Sequence, residues 1–190
     1  MKIVVANNKG GQGKTLLVVM IIQYLSGKGY PVTACDLDRT QINLTDLLQG
    51  IPGVEIFSRF EDIPDNGVCV VDTPPYLDDG LITVIQQADC LVVPVQLGRN
   101  AIQGVGRMRE IRGDKETRYV INGYDDSYIQ QQGKEYLKEQ GYEICGVIPR
   151  YKRLSCNIDC MASWSDGFAQ SQIDQIKMVL ANITRGVKNG

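Results

Sequence analysis

Seven short runs of apolar, mostly β-branched residues punctuate the chain, at 2–6, 32–36, 54–57, 68–72, 90–94, 118–121 and 144–148. Several are apolar almost without a break, as in Val68-Cys69-Val70-Val71 and Cys90-Leu91-Val92-Val93. A strand with one wet face alternates apolar and polar residues. A strand buried on both faces does not, and such runs belong to parallel sheets covered by helices on both sides. Between the runs lie longer segments with helical character, at 14–26, 43–48, 80–87, 101–111, 128–139 and 171–187. Gly27 and Gly29 close the first, where helices commonly end on glycine. In the last, Ile173, Ile176, Leu180, Ile183 and Val187 recur at three- and four-residue steps, a stripe suited to packing on a sheet. The alternation of strand and helix predicts a doubly wound α/β fold, mostly parallel, with helices on both faces. No internal repeat and no linker rich in Pro or Ser interrupts it, so residues 1–190 are expected to form a single domain.

Composition narrows the chemistry. Hydrophobic residues make up 43% of the chain and charged residues 22%, ordinary globular values. The formal net charge is −2, so contact with nucleic acid needs a local basic patch. With no histidine, a His-ligated metal site, a Ser-His-Asp triad and a Cys-His dyad are excluded. Six cysteines occur without a Cys-x-x-Cys pair, and four of them lie in or beside apolar runs, where a thiol acts as a small buried hydrophobe. Cys156 and Cys160 stand in a polar stretch and read as plain thiols, with a metal or redox role as the alternative. The apolar run after Met1 and Lys2 is too short for a secretory leader. The longest strongly apolar stretch, 16–22, falls far short of the ~20 residues that cross a bilayer. A cytoplasmic location is expected.

The first apolar run leads into Asn7-Asn8-Lys9-Gly10-Gly11-Gln12-Gly13-Lys14-Thr15, and then into an apolar helix from Leu16. Strand, glycine-rich turn and helix suit an anion. Glycine lets backbone N–H groups curl around a phosphate, and a helix N-terminus adds unsatisfied donors and a favourable dipole. Lys14 is placed to reach the outer phosphates of a nucleotide, and the Thr15 hydroxyl to ligate Mg²⁺. The pattern G-x-x-x-x-G-K-[ST] fails by one residue, because Asn8 stands at its first glycine, whereas K-G-G-x-G-K-T fits from Lys9 to Thr15 without exception. Further on, Val68-Cys69-Val70-Val71-Asp72-Thr73-Pro74-Pro75 is an apolar strand ending in a carboxylate. In an open α/β sheet the acid emerges at the C-terminal edge, where ligands bind, suited to hold Mg²⁺ through a bound water.

These segments resemble the deviant Walker A ATPases of the ParA/MinD family, most of all its small plasmid and chromosome partition members. The resemblance implies ATP/ADP and Mg²⁺ as ligands. Gly10, Gly11, Gln12, Gly13, Lys14, Thr15 and Leu16 would surround the nucleotide, and Thr15 and Asp72 would serve the metal. Lys9 would be the signature lysine that reaches across a sandwich homodimer to the phosphates of a second copy. Asp36-Leu37-Asp38-Arg39-Thr40-Gln41-Ile42-Asn43 resembles the family's D-x-D-P-Q-G-N, with Arg39 in place of proline and the Gln-x-Asn pair one residue late. By this likeness Asp38 positions the attacking water, and Lys9, Lys14 and Asp38 form the catalytic group. The shifted spacing leaves Thr40, Gln41 and Asn43 without firm roles, and Asp36 open to a structural one. Val93-Pro94-Val95-Gln96 resembles the strand before the family's dimer-side helix. Asn122 matches a position that contacts adenine, and Ile148-Pro149-Arg150 an adenine-side loop, which adds Asn122, Pro149 and Arg150 to the nucleotide residues. For Arg150 an ordinary surface arginine is the alternative.

ATP in place of GTP follows from the same likeness, and no Asn-Lys-x-Asp motif occurs. The family uses ATP as a timer: ATP-bound dimers hold a surface and hydrolysis releases them. The expected function is therefore an ATP hydrolase for DNA segregation, nucleoid-associated. Its homodimer would hold non-specific DNA until a centromere-binding adaptor stimulates hydrolysis. Arg150, Lys152, Arg153, Lys177, Arg185 and Lys188 are the candidate DNA contacts. The tail from Thr184 to Gly190 lacks a dense basic row, so no membrane partner is expected. The chain opens directly on its first strand, which points to the small partition type. A MinD-like membrane- or cargo-positioning ATPase is one alternative. A metabolic P-loop enzyme of the same fold, resembling dethiobiotin synthetase or the nitrogenase iron protein, is another.

Overall fold

The computed structural model describes residues 1–38, 44–48, 51–98, 101–151 and 164–188. Among them the strands are β1 (Lys2–Val5), β2 (Val32–Asp36), β3 (Ile56–Phe57), β4 (Val68–Asp72), β5 (Cys90–Val95), β6 (Thr117–Tyr124) and β7 (Ile144–Pro149). The helices are α1 (Lys14–Gly27), α2 (Leu44–Leu48), α3 (Asp79–Gln87), α4 (Ala101–Arg112), α5 (Tyr128–Glu139) and α6 (Gln170–Ile183). The strands form one sheet in the order β3-β2-β4-β1-β5-β6-β7, and every pair is parallel. The expected doubly wound parallel fold is present.

Alternation along β1 shows why the apolar runs are continuous. Ile3 and Val5 join one core with α1, α2 and α6, while Val4 and Ala6 join a second with α3, α4 and α5. The same division runs through β4, where Val70 serves the first core and Cys69 and Val71 the second. In α1, residues 16–22 are all buried, so this helix is enclosed rather than amphipathic.

Most elements fall where the apolar pattern puts them, and the differences have local causes. The third strand keeps only Ile56–Phe57 of the expected 54–57, pairing with Ala34 and Cys35 at the sheet margin. The sixth extends to Thr117–Tyr124 because its polar ends, Thr117 and Asn122 onward, continue to pair with β5 and β7. Helix α3 begins one residue early, after Asp78, whose carboxylate accepts from the Leu81 amide at 2.7 Å. The last helix stops at Ile183 rather than 187, capped by Thr184, whose hydroxyl turns back onto the Leu180 carbonyl at 2.8 Å. Its stripe packs as expected, with Ile176, Val179, Leu180 and Ile183 buried and Ile173 and Val187 half-buried against the same core.

Two buried arginines complete the frame. Arg112 donates to the carbonyls of Ile85, Gln86, Ala88 and Asp89, closing the C-terminus of α3. Arg118, in β6, donates to the carbonyls of Ile183 and Arg185 and pairs with Glu116, holding the end of α6. Cys35, Cys69 and Cys90 are buried free thiols whose pKa burial raises to about 12, about 11 and about 11. Cys145 is half-buried and likewise raised to about 12. Cys156 and Cys160 lie outside the described residues.

Gly146 of β7 sits beneath Val179 of α6, where an added Cβ would stand 2.6 Å from both Val179 methyls. Gly146→Ala is therefore expected to lower stability by about 1–3 kcal/mol. Urea unfolding checks this, and adding Val179→Ala should recover part of the loss.

Candidate nucleotide-binding site

The C-terminal ends of β1, β4 and β5 lie side by side, and the loop of residues 6–13 springs from the first. Gly11 (φ 73°) and Gly13 (φ 86°) adopt left-handed backbone that side chains resist. At Gly13 the need for glycine is double, because a Cβ there would lie 2.2 Å from Asn122 Nδ2. Gly13 then serves as the N-cap of α1, its carbonyl accepting from the Leu17 amide.

Side chains tie the loop down on several sides. Asn7 Nδ2 donates to the Pro94 carbonyl (2.8 Å), and Asn7 Oδ1 accepts from the Lys9 amide (3.1 Å). Gln12 Oε1 accepts from the Gln96 amide (2.9 Å), while the Gln12 carbonyl accepts from Asn122 Nδ2 (3.0 Å). Asn7, Gln12 and Asn122 are all buried. Lys9 is exposed.

Lys14 is only 7% exposed, and its Nζ donates to the Lys9 carbonyl at 3.5 Å. Burial lowers its pKa, against the charges of Asp72 and then Asp38, which raise it. Asp72 is 1% exposed. Burial pushes its carboxyl up to about 7, helped by the neighbouring charge of Asp36 and opposed by the Thr15 hydroxyl, Lys14 and the Thr73 amide. The Thr73 hydroxyl donates to the Val5 carbonyl at 2.8 Å, which fastens the end of β4 to the end of β1. One corner thus gathers Lys14, Thr15, Asp38 and Asp72.

Asp36 has a structural task. Its two oxygens accept from the Asp38 and Leu44 amides, both at 3.1 Å, which shapes the turn after β2 and holds the first residue of α2. Its pKa is raised, chiefly by burial. Arg39, Thr40, Gln41 and Asn43 lie outside the described residues.

Asn122, Pro149 and Arg150 stand at the same sheet edge, on β6, at the end of β7 and just beyond it. Arg150 pairs with Asp125 at 3.6 Å. Among the described residues, the candidate DNA contacts Arg150 and Arg185 stand at opposite ends of the strands. Arg185 is paired with Glu143 (2.9 Å) and Glu116 (3.5 Å), Lys177 is exposed on α6 and Lys188 beyond it, and Lys152 and Arg153 are outside the described residues. Asn7, Thr73 and the side chain of Gln12 were not singled out by the sequence. Only Asn7's place at the head of the glycine motif hinted at a part in the loop.

The model of the CobQ/CobB/MinD/ParA nucleotide binding domain matches residues 3–159. The chain belongs to this ParA/MinD superfamily. The chromosome-partitioning ATPase Soj of Thermus thermophilus is 27% identical over 206 aligned positions, covering 81% of this chain and 83% of Soj. A plasmid partition protein of Borrelia burgdorferi bound to AMPPNP shares the fold with a TM-score of 0.71 at 16% identity, over 97% of this chain and 98% of that one. The septum site-determining protein MinD of Pyrococcus horikoshii, complexed with Mg-ADP, gives 0.76 at 13%, over 97% and 96%. As a ParA/MinD protein the chain stands among nucleotide-binding ATPases of the partitioning and positioning kind.

The raised Asp72 pKa has a consequence for stability. Between its ordinary value of 3.8 and about 7, the folded chain holds a proton there that the unfolded chain releases. That contribution is complete at low pH and is lost as pH rises through about 7. Without nucleotide, Asp72→Asn is expected to be more stable than the parent at pH 8, by on the order of 1–3 kcal/mol, with the difference vanishing toward pH 4. Urea midpoints of the two proteins across this range measure it.

Proposed function

We propose that this chain is an ATP-hydrolysing partition protein. Two copies close on ATP, the dimer holds non-specific DNA, and hydrolysis stimulated by a centromere-binding adaptor releases it. The observation that carries the reading is the burial of Lys14 and Asp72 at the mouth of a left-handed glycine turn, beside an exposed Lys9. Charges withdrawn from water are costly unless opposite charge meets them. A triphosphate is the complement for the lysine, and a divalent cation for the carboxylate.

The residues fit both ligands. Thr15 and Asp72 offer hard oxygens, the donors Mg²⁺ prefers. When bound, Mg²⁺ neutralises negative charge on the outer phosphates. The chain's residues do the remaining work. The amides of 10–16 and the N-terminus of α1 hold the phosphate oxygens. Lys14 adds a desolvated positive charge, strengthened by its dry surroundings. Asp38, buried beside Lys14, orients the attacking water. Lys9 of each copy reaches the other's phosphates, while Asn122, Pro149 and Arg150 take the adenine side. Turnover is slow until the adaptor binds, as a timer requires.

The likeness to Soj supports DNA as the held surface, bound through exposed basic residues that neutralise backbone phosphates. Arg150, Lys152, Arg153, Lys177, Arg185 and Lys188 remain the candidates, in a protein of the cytoplasm and its nucleoid. The second reading, a MinD-like positioning ATPase, draws on the fold likeness to MinD.

Gel shifts with non-specific duplex DNA separate the two. Binding is expected with ATP, weak with ADP, absent without nucleotide, and reduced by salt. Binding indifferent to nucleotide sinks the partition reading, and ATP-dependent sedimentation with liposomes instead would favour the second. Lys9→Ala should bind ATP as a monomer about as well as the parent, yet lose dimerisation and about tenfold or more of the hydrolysis rate. Light scattering and phosphate release report the two effects.

A further inference from the structure

The phosphate loop is stitched to the C-terminal end of β5 at two points, one near each end of the loop. Asn7 Nδ2 holds the Pro94 carbonyl, and Gln12 Oε1 holds the Gln96 amide. Pro94 lies in β5 and Gln96 is the first residue after it, on the path to α4. That helix itself leans on the loop: a Cβ at Gly104 would stand 2.9 Å from Asn8 Oδ1 and 3.2 Å from Asn7 Oδ1.

Gln12 is the joint between these parts. Its carbonyl is fixed by Asn122 Nδ2, its side chain by the Gln96 amide, and it is 5% exposed. The peptide between Gln12 and Gly13 lies in the turn that offers amides to phosphates, so its orientation decides where those N–H groups aim. A side chain anchored 84 residues away in sequence restricts that orientation. Whatever reorients the peptide also pulls on the Gln96 amide. An aliphatic residue at position 12 would leave the glycine turn intact but supply no acceptor for Gln96.

We propose that Gln12 is a positioning residue. Through its side-chain oxygen it aims the turn's amides at the phosphates and transmits nucleotide occupancy to the β5–α4 connection. This rests on the reading of residues 9–15 as a phosphate loop. Gln12 acts here through its side chain and Gln96, in addition to any contact its backbone makes with nucleotide.

The test follows the Gln96 amide by NMR hydrogen exchange in the full chain, with and without Mg²⁺ and AMPPNP. In the parent protein, nucleotide should slow exchange at Gln96 along with the amides of 11–14. Gln12→Met keeps the length of the side chain and removes its strong acceptor. In this variant the Gln96 amide should exchange fast in both states. AMPPNP affinity should fall roughly threefold to tenfold, the worth of one such hydrogen bond.

Two results overturn the inference. One is a parent protein whose Gln96 amide ignores nucleotide while those of 11–14 respond, which needs no variant at all. The other is a folded Gln12→Met with unchanged affinity and a Gln96 amide that still follows nucleotide. If the amides of 11–14 themselves fail to respond in the parent, the phosphate-loop reading fails as well, so the two failures are distinguishable.

Discussion

A buried lysine and a buried aspartate share one corner of the sheet, and the arrangement around them follows from the cost of keeping them there. Burial lowers the Lys14 pKa and raises that of Asp72, so each alone is held against its preferred state of charge. Their mutual attraction offsets part of that cost. Fixed dipoles offset more: the Lys9 carbonyl for the lysine, the Thr15 hydroxyl and Thr73 amide for the carboxylate. Such a corner holds only if the backbone around it is rigid. That explains why the neighbouring side chains Asn7, Gln12, Thr73 and Asn122 all spend hydrogen bonds on main-chain groups of the loop and the adjoining strand ends.

The topology brings the corner into being. From central β1 the chain crosses to β2 and β3, returns to β4 beside β1, and only then moves out through β5, β6 and β7. The reversal leaves β4 and β5 flanking β1, so their C-terminal ends open together around the loop, the position where open α/β sheets bind ligands. Register does the rest. Asp36 of β2 stands directly beside Asp72 of β4, and Val5 of β1 on its other side. The Asp36–Asp72 neighbourhood is repulsive, the charge of Asp36 helping to raise the Asp72 pKa, and it would be more so if both acids turned into the same corner. Asp36 instead turns its oxygens onto the amides of Asp38 and Leu44, leaving Asp38 and Asp72 at the corner.

Much of this was legible in the chain. Continuous apolar runs reported strands buried on both faces, because a two-sided core removes the alternation a half-wet strand would keep. K-G-G-x-G-K-T reported the turn, because few sequences tolerate two left-handed positions within three residues before an apolar helix. What stayed hidden depends on pairing across the fold. Arg118 reads as an odd charge in an apolar strand, and only the docking of α6 shows that its guanidinium closes that helix. Gln12 fills the variable position of the motif, and its partner Gln96 lies on another strand end. The structural option left open for Asp36 takes a definite form only in the fold, where its oxygens hold the amides of Asp38 and Leu44. Boundaries failed where polar residues belong to strands, as at the ends of β6.

The C-terminal helix bears on whether a membrane could be a partner of this chain. Its spacing also suits a helix lying on a membrane, apolar face down. In the fold that face is already spent: Ile176, Val179, Leu180 and Ile183 are buried on the sheet. Releasing four such side chains from the core forfeits roughly 6–12 kcal/mol before any lipid contact returns it. Undocking would also strip Arg118 of the Ile183 and Arg185 carbonyls and leave its guanidinium facing an emptied groove, a further penalty lipid cannot repay. Asn182, bonded to the Cys145 carbonyl at 2.9 Å, ties the same helix to β7. The outer face of α6 carries Lys177 beside an exposed Met178, and Arg185 beyond it is engaged by two glutamates. A docked helix with so few free cations makes a weak membrane anchor. A membrane contact through α6 is therefore disfavoured by the packing of the helix itself, whereas its exposed outer face stays open to other partners.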